Sequence, residues 1–468
     1  MGKAEQGKLG LINSYLDILD RAKNGPLVSK ADWDMDHIVM PVRRLVKKYR
    51  LEWDKQLVIP EDGDLIGRLF KAGMEMAVSS GIYCIATGRV IQFSQEEINE
   101  GIERMPITLR MGEGKDAREL FARTIMDSRP PLVWAGNPGA PTPEELFLPC
   151  VMSWMQEPLV DMATCGSLTS VNGRDVETGK PMEIYAARWE LSQLREALRL
   201  VGRPGMGLLA GQSAVTELGD LAISNPKYLR PTDSHLVALF NELIIDQINM
   251  SRALNAEDYS MRNASLATVM VGGLGGNAPG AAVVQIASFL LANWVCLADY
   301  HLLHPIHIRH VATSTRGVMW VQSAVEQAFA RYAPSIIVSD IYPKSGALTR
   351  ELLYEVAANT IVITVSGGHL EGVGSADGAL PNGTGLEVRW MAEVGQAVTR
   401  QGLTLTQANQ LVSQLLSRYE HIFQLPGGNP GVRFDYAYDM TTLKPIPAWL
   451  QLYEEVKSEV REMGLKTL

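Results

Sequence analysis

Apolar and polar positions along this chain follow two different periods. Over residues 16–23, 42–49 and 65–78 the apolar side chains recur every three or four positions, which predicts amphipathic helices. Residues 82–93, IYCIATGRVIQF, are two β-rich runs around Ala86-Thr87-Gly88-Arg89 and predict a hairpin. Ser94, with Glu97 three residues on, forms a capping box that opens the next helix. Beyond about residue 130 short apolar runs take over, at 132–137, 160–166, 206–211, 235–240, 267–273, 307–313, 335–341 and 360–368. Most end in, or run into, Gly, Ser, Thr or Asn. Helical patterns at 182–201, 241–254, 281–300, 316–332 and 346–358 lie between them. Such alternation builds a parallel sheet, and eight βα units in roughly 250 residues match a closed barrel. The expected fold is α/β, a (β/α)8 TIM barrel; the strand count disfavours a doubly wound open sheet. Residues 386–400, 406–423 and 447–463 are again helical in pattern. The expected organisation is an N-terminal helical segment with a β-hairpin at 1–130, the barrel at 131–385 and C-terminal helices at 386–468.

Composition narrows the function classes. Of 468 residues 46% are apolar and 20% charged, the balance of a folded globular chain rather than a disordered or fibrous one. The net charge of -9 leaves no basic surplus for phosphates, so nucleic acid and anionic membranes are disfavoured as partners. Cys84, Cys150, Cys165 and Cys296 lie far apart and read as reduced, buried thiols of a cytoplasmic protein. The N-terminal residues show no apolar stretch with a cleavage site, and Gln6 stands where myristoylation wants Ser or Thr, so neither signal is expected. Residues 281–300 reach membrane length, but Gln285, Asn293 and Asp299 interrupt them and a buried helix fits better.

Several stretches offer chemistry. His301, His304, His307 and His310 recur every third residue, a spacing that matches neither face of a strand and no zinc signature, so no metal site is expected. His307 and Arg309 are candidates to share an inward face of the sixth strand, as a donor and a fixed cation. Asp233 and His235 open the fourth strand, where a local turn motif and a catalytic pair are both open readings. Gly272-Gly273-Leu274-Gly275-Gly276 is not a dinucleotide fingerprint. Asp340, closing the seventh strand, is a lone carboxylate suited to a cationic substrate. Ser366-Gly367-Gly368-His369-Leu370-Glu371 adds an imidazole and a carboxylate on a loop after the eighth. No GxSxG, Walker loop or CxxC is present.

Taken in order, DWDMDHIVMPVRRLVKKY, RLFKAGMEMAVSSGIYC, SVNGRDVETGKP, GRPGMG, TDSH, GGLGG, HPIHIR and GTGLEVRWMAEV resemble the monomethylamine:corrinoid methyltransferase family over nearly the whole chain. The resemblance implies a (β/α)8 barrel, a homo-oligomer (a hexamer in the family), and methyl transfer from methylamine to the Co(I) of a corrinoid (cobalamin) carried by a separate protein, as in methanogenesis-type C1 metabolism. One departure stands out. Members that use methylamine carry pyrrolysine two residues after GRPGMG, where this chain has Leu209. At the positions of the family's surrounding acidic and amide side chains the sequence reads Leu236, Leu266 and Asp340. Asp233, His235, His307 and Arg309 match the family.

This pattern leads to an expectation of a pyrrolysine-independent methyltransferase. A quaternary or protonated ammonium leaves as a neutral amine, and a leucine-lined pocket with one carboxylate suits a methyl-rich cation. In that reading Asp340 orients the donor, while Leu209, Leu236 and Leu266 form the apolar wall. Two alternatives accompany it: a non-catalytic homologue that binds a corrinoid protein or senses a ligand, and a demethylase of another N-methyl compound, with His235 or Asp233 as general acid.

Overall fold

The computed structural model describes residues 3–374, 376–378 and 380–468. Eight parallel strands form its central sheet: β1 (Val133–Ala135), β2 (Met162–Ala163), β3 (Gly207–Leu208), β4 (Ser234–Leu239), β5 (Arg262–Ala267), β6 (Tyr300–Leu303), β7 (Ile337–Asp340) and β8 (His369–Gly372). Their spatial order is β3-β2-β1-β8-β7-β6-β5-β4. Leu209, just past β3, bridges Ser234 at the start of β4 and joins the two ends of that order into a barrel. The Ala210 amide donates to the Ser234 carbonyl at 2.8 Å across this seam.

Helices follow the strands in turn: α1 (Glu144–Met155), α2 (Pro181–Leu200), α3 (Glu217–Ile223), α4 (Gln247–Asp258), α5 (Ala278–Val295), α6 (Arg316–Tyr332), α7 (Arg350–Ser366) and α8 (Gly385–Gln401). Thr216, Asp246, Thr315, Thr349 and Thr384 cap five of them through their side chains, placing polar starts at the rim. α5 is the one helix among the described residues long and apolar enough to cross a membrane, and 94% of that window is buried inside the protein. It lies between the barrel and the N-terminal helix Gly63–Ser80, where a Cβ on Gly73 would come within 2.3 Å of Ile286. On the outer side Trp390 of α8 meets Tyr453 of the C-terminal helix Pro447–Met463, edge to face.

The barrel interior is packed by Trp134, Met162, Leu209, Ala264, Tyr300, Leu302 and Val338. Beneath it an antiparallel hairpin, Thr108–Met111 with Arg118–Phe121, sets Leu109, Met111 and Leu120 against the same cluster and closes the floor. The turn of GRPGMG rests on this hairpin. A Cβ on Gly205 would stand 2.2 Å from the Glu113 carbonyl oxygen, so only glycine fits there.

Three of the expected strands are displaced. Residues 360–368 are the second half of α7 followed by its cap. The run TIVITVS is rich in β-branched residues, but it is buried all round, and burial rather than propensity decides its state. The strand comes only after Gly367, which caps α7 at φ 107°, and Gly368. Residues 267–273 and 307–313 lie mostly beyond the barrel, whose fifth and sixth strands are the preceding RNASLA and YHLL. Met270–Val271 and Ile306–His307 instead form a separate parallel pair past the rim.

Candidate active site

A cavity of about 200 Å³ opens where the strands end. Its wall divides into two arcs. Leu209, Leu236, Leu266 and Leu302, from β3 through β6, make one apolar side. Leu302 and Leu266 are register partners, so their side chains leave adjacent strands on the same face. The opposite arc is polar, with Asp340 at the end of β7 and Glu371 on β8, again register partners. His304, two residues past Leu302 and on the same face, brings its Nδ1 to 2.6 Å from Asp340 Oδ2. Tyr342 meets the His304 ring edge to face at 4.9 Å and donates its hydroxyl to the Pro138 carbonyl. Gln212, Thr268, Pro138 and Gly139 complete the lining.

Charge is confined to the polar arc. Asp340 is 5% exposed and Glu371 1%, and among the described residues no lysine or arginine lines the cavity. Burial, and next to it the Asp340 charge, pushes the Glu371 carboxyl well above the usual carboxylate range. The Gln322 side-chain amide on α6 donates to the Asp340 carbonyl at 3.0 Å and holds the end of β7 from behind. On the other side buried Glu190 of α2 accepts the Gln212 and Ser213 amides at 2.7 and 2.8 Å, fixing the loop that follows Leu209.

Of the residues singled out from sequence, the structure brings Leu209, Leu236, Leu266 and Asp340 together in this cavity. The other four lie elsewhere. Asp233 sits at the opposite end of the barrel, accepting the Leu208 amide at 3.0 Å and ion-paired with Arg195 and Arg230. His235 is buried on the outer face of β4, with Nδ1 2.5 Å from Asp220 and Nε2 3.1 Å from Ser224 Oγ. Neither reaches the cavity. His307 stands past the rim against His310, and Arg309 is exposed, so the two do not share an inward strand face. His307 and His310 border a second hollow of about 560 Å³ between the starts of α5 and α6.

Glu371 and His304 were not assigned to the pocket by sequence reasoning. The displaced eighth strand put Glu371 on a loop, and His304 was weighed only as one of four spaced histidines. Two-residue alternation from Leu302 to His304 was the signal available for the second. His301 and His369 are structural. His301 is stacked on Phe289 and bonded to Ser265, and His369 accepts the Leu132 amide near the barrel floor. Burial pushes both imidazoles down to about 3, so they stay neutral.

Comparison with known proteins places this geometry in a family. Residues 13–465 match the family model described as monomethylamine methyltransferase MtmB. MtmB2 of Methanosarcina acetivorans is 31% identical over 453 residues, 96% of this chain and 97% of that protein. MtmB1 of Methanosarcina barkeri is 31% identical over 451 residues, with the same shares covered. The crystal structure of the Methanosarcina barkeri monomethylamine methyltransferase superposes with a TM-score of 0.93 over 96% of this chain and 98% of that one. That of a hydroxylamine MtmB complex gives the same TM-score. An α/β barrel with this order of strands, matched over nearly its full length in sequence and in structure, belongs to the monomethylamine methyltransferase MtmB family.

Proposed function

We propose that this protein moves a methyl group from a small methylated ammonium donor, held in the leucine-walled cavity, to the Co(I) of a corrinoid carried by a separate protein. It does so without pyrrolysine, with Leu209 in that residue's place. The observation that carries this reading is the division of the cavity into an apolar arc and an acidic one. Four leucines receive methyl groups, while Asp340 beside His304 and Glu371 receives the positive nitrogen.

The corrinoid is the acceptor substrate in this reading. A cavity of about 200 Å³ admits a small donor but not a corrin ring, so the acceptor stays outside the mouth. Exposed apolar side chains on the loops past the strands fit such a partner: Phe240, Leu274, Ile308, Val311 and Leu380 are each 36–49% exposed. The protein's own tasks are then three. It points a methyl group outward along the line of attack, keeps water from the nitrogen, and holds the donor as a cation so that the nitrogen leaves as a neutral amine. The leucine arc serves the first two and Asp340 the third.

The test is anaerobic methylation of reduced cobalamin, or of a co-encoded corrinoid protein, across a panel of methylated amines. The expected outcome is the visible change from Co(I) to methyl-Co(III) with at least one cationic donor. Silence with every donor, when the reduced acceptor is shown to be competent, rejects this function.

A further inference from the structure

The acidic arc holds more carboxyl than one cation requires. Asp340 and Glu371 face each other from adjacent strands, and each keeps one buried oxygen, Oδ1 and Oε2, without a hydrogen-bond partner. The groups facing them come from every neighbouring element. His304 reaches in from beyond β6, Tyr300 lies deeper on β6 near Glu371 with its hydroxyl bonded to Ser234, Tyr342 comes from beyond β7 with its hydroxyl committed to Pro138, Trp134 flanks Glu371 on β1, and Gln212 stands across on the loop after β3. None of these carries a fixed positive charge. Two carboxyls side by side and out of water do not both ionise; one proton is kept between them. The upward push on Glu371 from burial and from Asp340 agrees with that.

We propose that the Asp340–Glu371 pair is a proton-for-cation exchange site, which selects methylated amines that arrive as cations and turns away neutral N-methyl compounds. The inference rests on the cavity being the donor site. In the free protein one proton lies between the two carboxyls. A bound ammonium supplies its positive charge instead, the proton departs to water, and both carboxylates then face the cation while His304 stays beside Asp340, 2.6 Å from its Oδ2. No covalent bond changes, and the charge of the site is the same before and after. Once the methyl group has gone to the acceptor, the donor nitrogen is a neutral amine with its electron pair returned. The two carboxylates then recover a proton from water, and the amine loses its counter-charge. Binding and product release are thus coupled to opposite proton movements. Glu371, which separates one charge from two, sets the coupling.

The experiment titrates the full chain with tetramethylammonium chloride by calorimetry, in buffers of different ionisation enthalpy. The expected result is about one proton released per cation near neutral pH, with affinity rising by up to about tenfold per pH unit while the pair still holds its proton. In Glu371→Gln the release disappears. Should that variant fail to fold, infrared difference spectra of the wild type serve instead, where adding the cation removes a protonated-carboxyl band. Binding without proton release, or equal release from Glu371→Gln, overturns the proposal. Failure to bind the cation, with methyl transfer from a neutral N-methyl donor, overturns it together with the cationic nature of the donor, and leaves only methyl transfer from this cavity standing. Methyl transfer from no donor at all, with proton-coupled binding present, removes the enzymatic reading and keeps the exchange site.

Discussion

At the scale of single residues, Asp340 carries charge rather than packing. An asparagine there keeps the shape of the side chain beside His304 and can donate to Glu371, and it removes the contact between two carboxyls. Asp340→Asn is therefore expected to change folding stability by no more than about 1 kcal/mol. It should lower kcat/KM for any cationic donor by about tenfold or more. Urea unfolding and the methyl-Co(III) assay on the same preparation check both halves; a variant that keeps full efficiency removes Asp340 from donor binding. His235 makes the opposite case. Its two nitrogens are engaged with Asp220 and Ser224 outside the barrel wall, so His235→Ala should cost about 1–3 kcal/mol of stability. The pH dependence of turnover should keep its shape; loss of an imidazole-like limb would restore His235 as a general acid. Asp233 and His235 looked paired because they are close in sequence. They occupy opposite environments, Asp233 at the barrel floor and His235 on the outer face of β4. Asp340 was legible because it closes an apolar run, whereas Leu209, Leu236 and Leu266 were legible only through the positions that the family resemblance matches.

At the scale of elements, buried glutamates tie helices to the loops of the barrel mouth. Glu190 on α2 accepts from the loop after β3, and Glu355 on α7 accepts the Lys344 and Ser345 amides, at 2.7 and 2.9 Å, from the loop after β7. Burial pushes both carboxyls up to about 7. The folded protein thus binds these protons more tightly than the unfolded chain, and their contribution to stability falls as pH rises from about 4.5 to 7, then levels off. Glu190→Gln does not titrate. It should be less stable than the wild type by about 1 kcal/mol at pH 5, where an amide NH2 now faces a backbone N–H. That difference should shrink towards pH 7; denaturation curves in which it grows would contradict the raised acid constant. The same helices show why element reading from sequence was uneven. α6 matched its expected span because its apolar stripe is periodic, whereas α7 is buried on every side and lacks a stripe, so its β-branched second half read as a strand. β5 was missed for the complementary reason. Its RNASLA carries Arg262, Asn263 and Ser265, each with a partner the sequence does not reveal: Asp299, the Ala253 carbonyl and His301.

At the scale of the whole molecule, the proposed function separates two recognition tasks by depth. Under the proposed function the donor lies below the rim, walled by the strand residues that line the cavity, and its affinity depends on the acidic arc. Under the same proposal a macromolecular acceptor meets the loops, where Phe240, Leu274, Ile308, Val311 and Leu380 are exposed and apolar and Arg309 is the exposed cation beside Ile308. These layers predict separable effects. A charge placed at the rim, Phe240→Asp or Ile308→Asp, must be desolvated when a protein acceptor seats, but hardly at all when free cobalamin approaches. Each should raise KM for the corrinoid protein by about tenfold or more, while its effect on methylation of free cobalamin stays several-fold smaller. Because the contact is apolar, the wild-type KM for the protein acceptor should vary little between low and physiological ionic strength, unlike a charge-steered encounter. Steady-state kinetics with both acceptors at two salt concentrations measure all of this. Equal losses on both acceptors would mean that the rim variants disturb the cavity, and a steep salt dependence would move the docking contact off the apolar rim to a charged face.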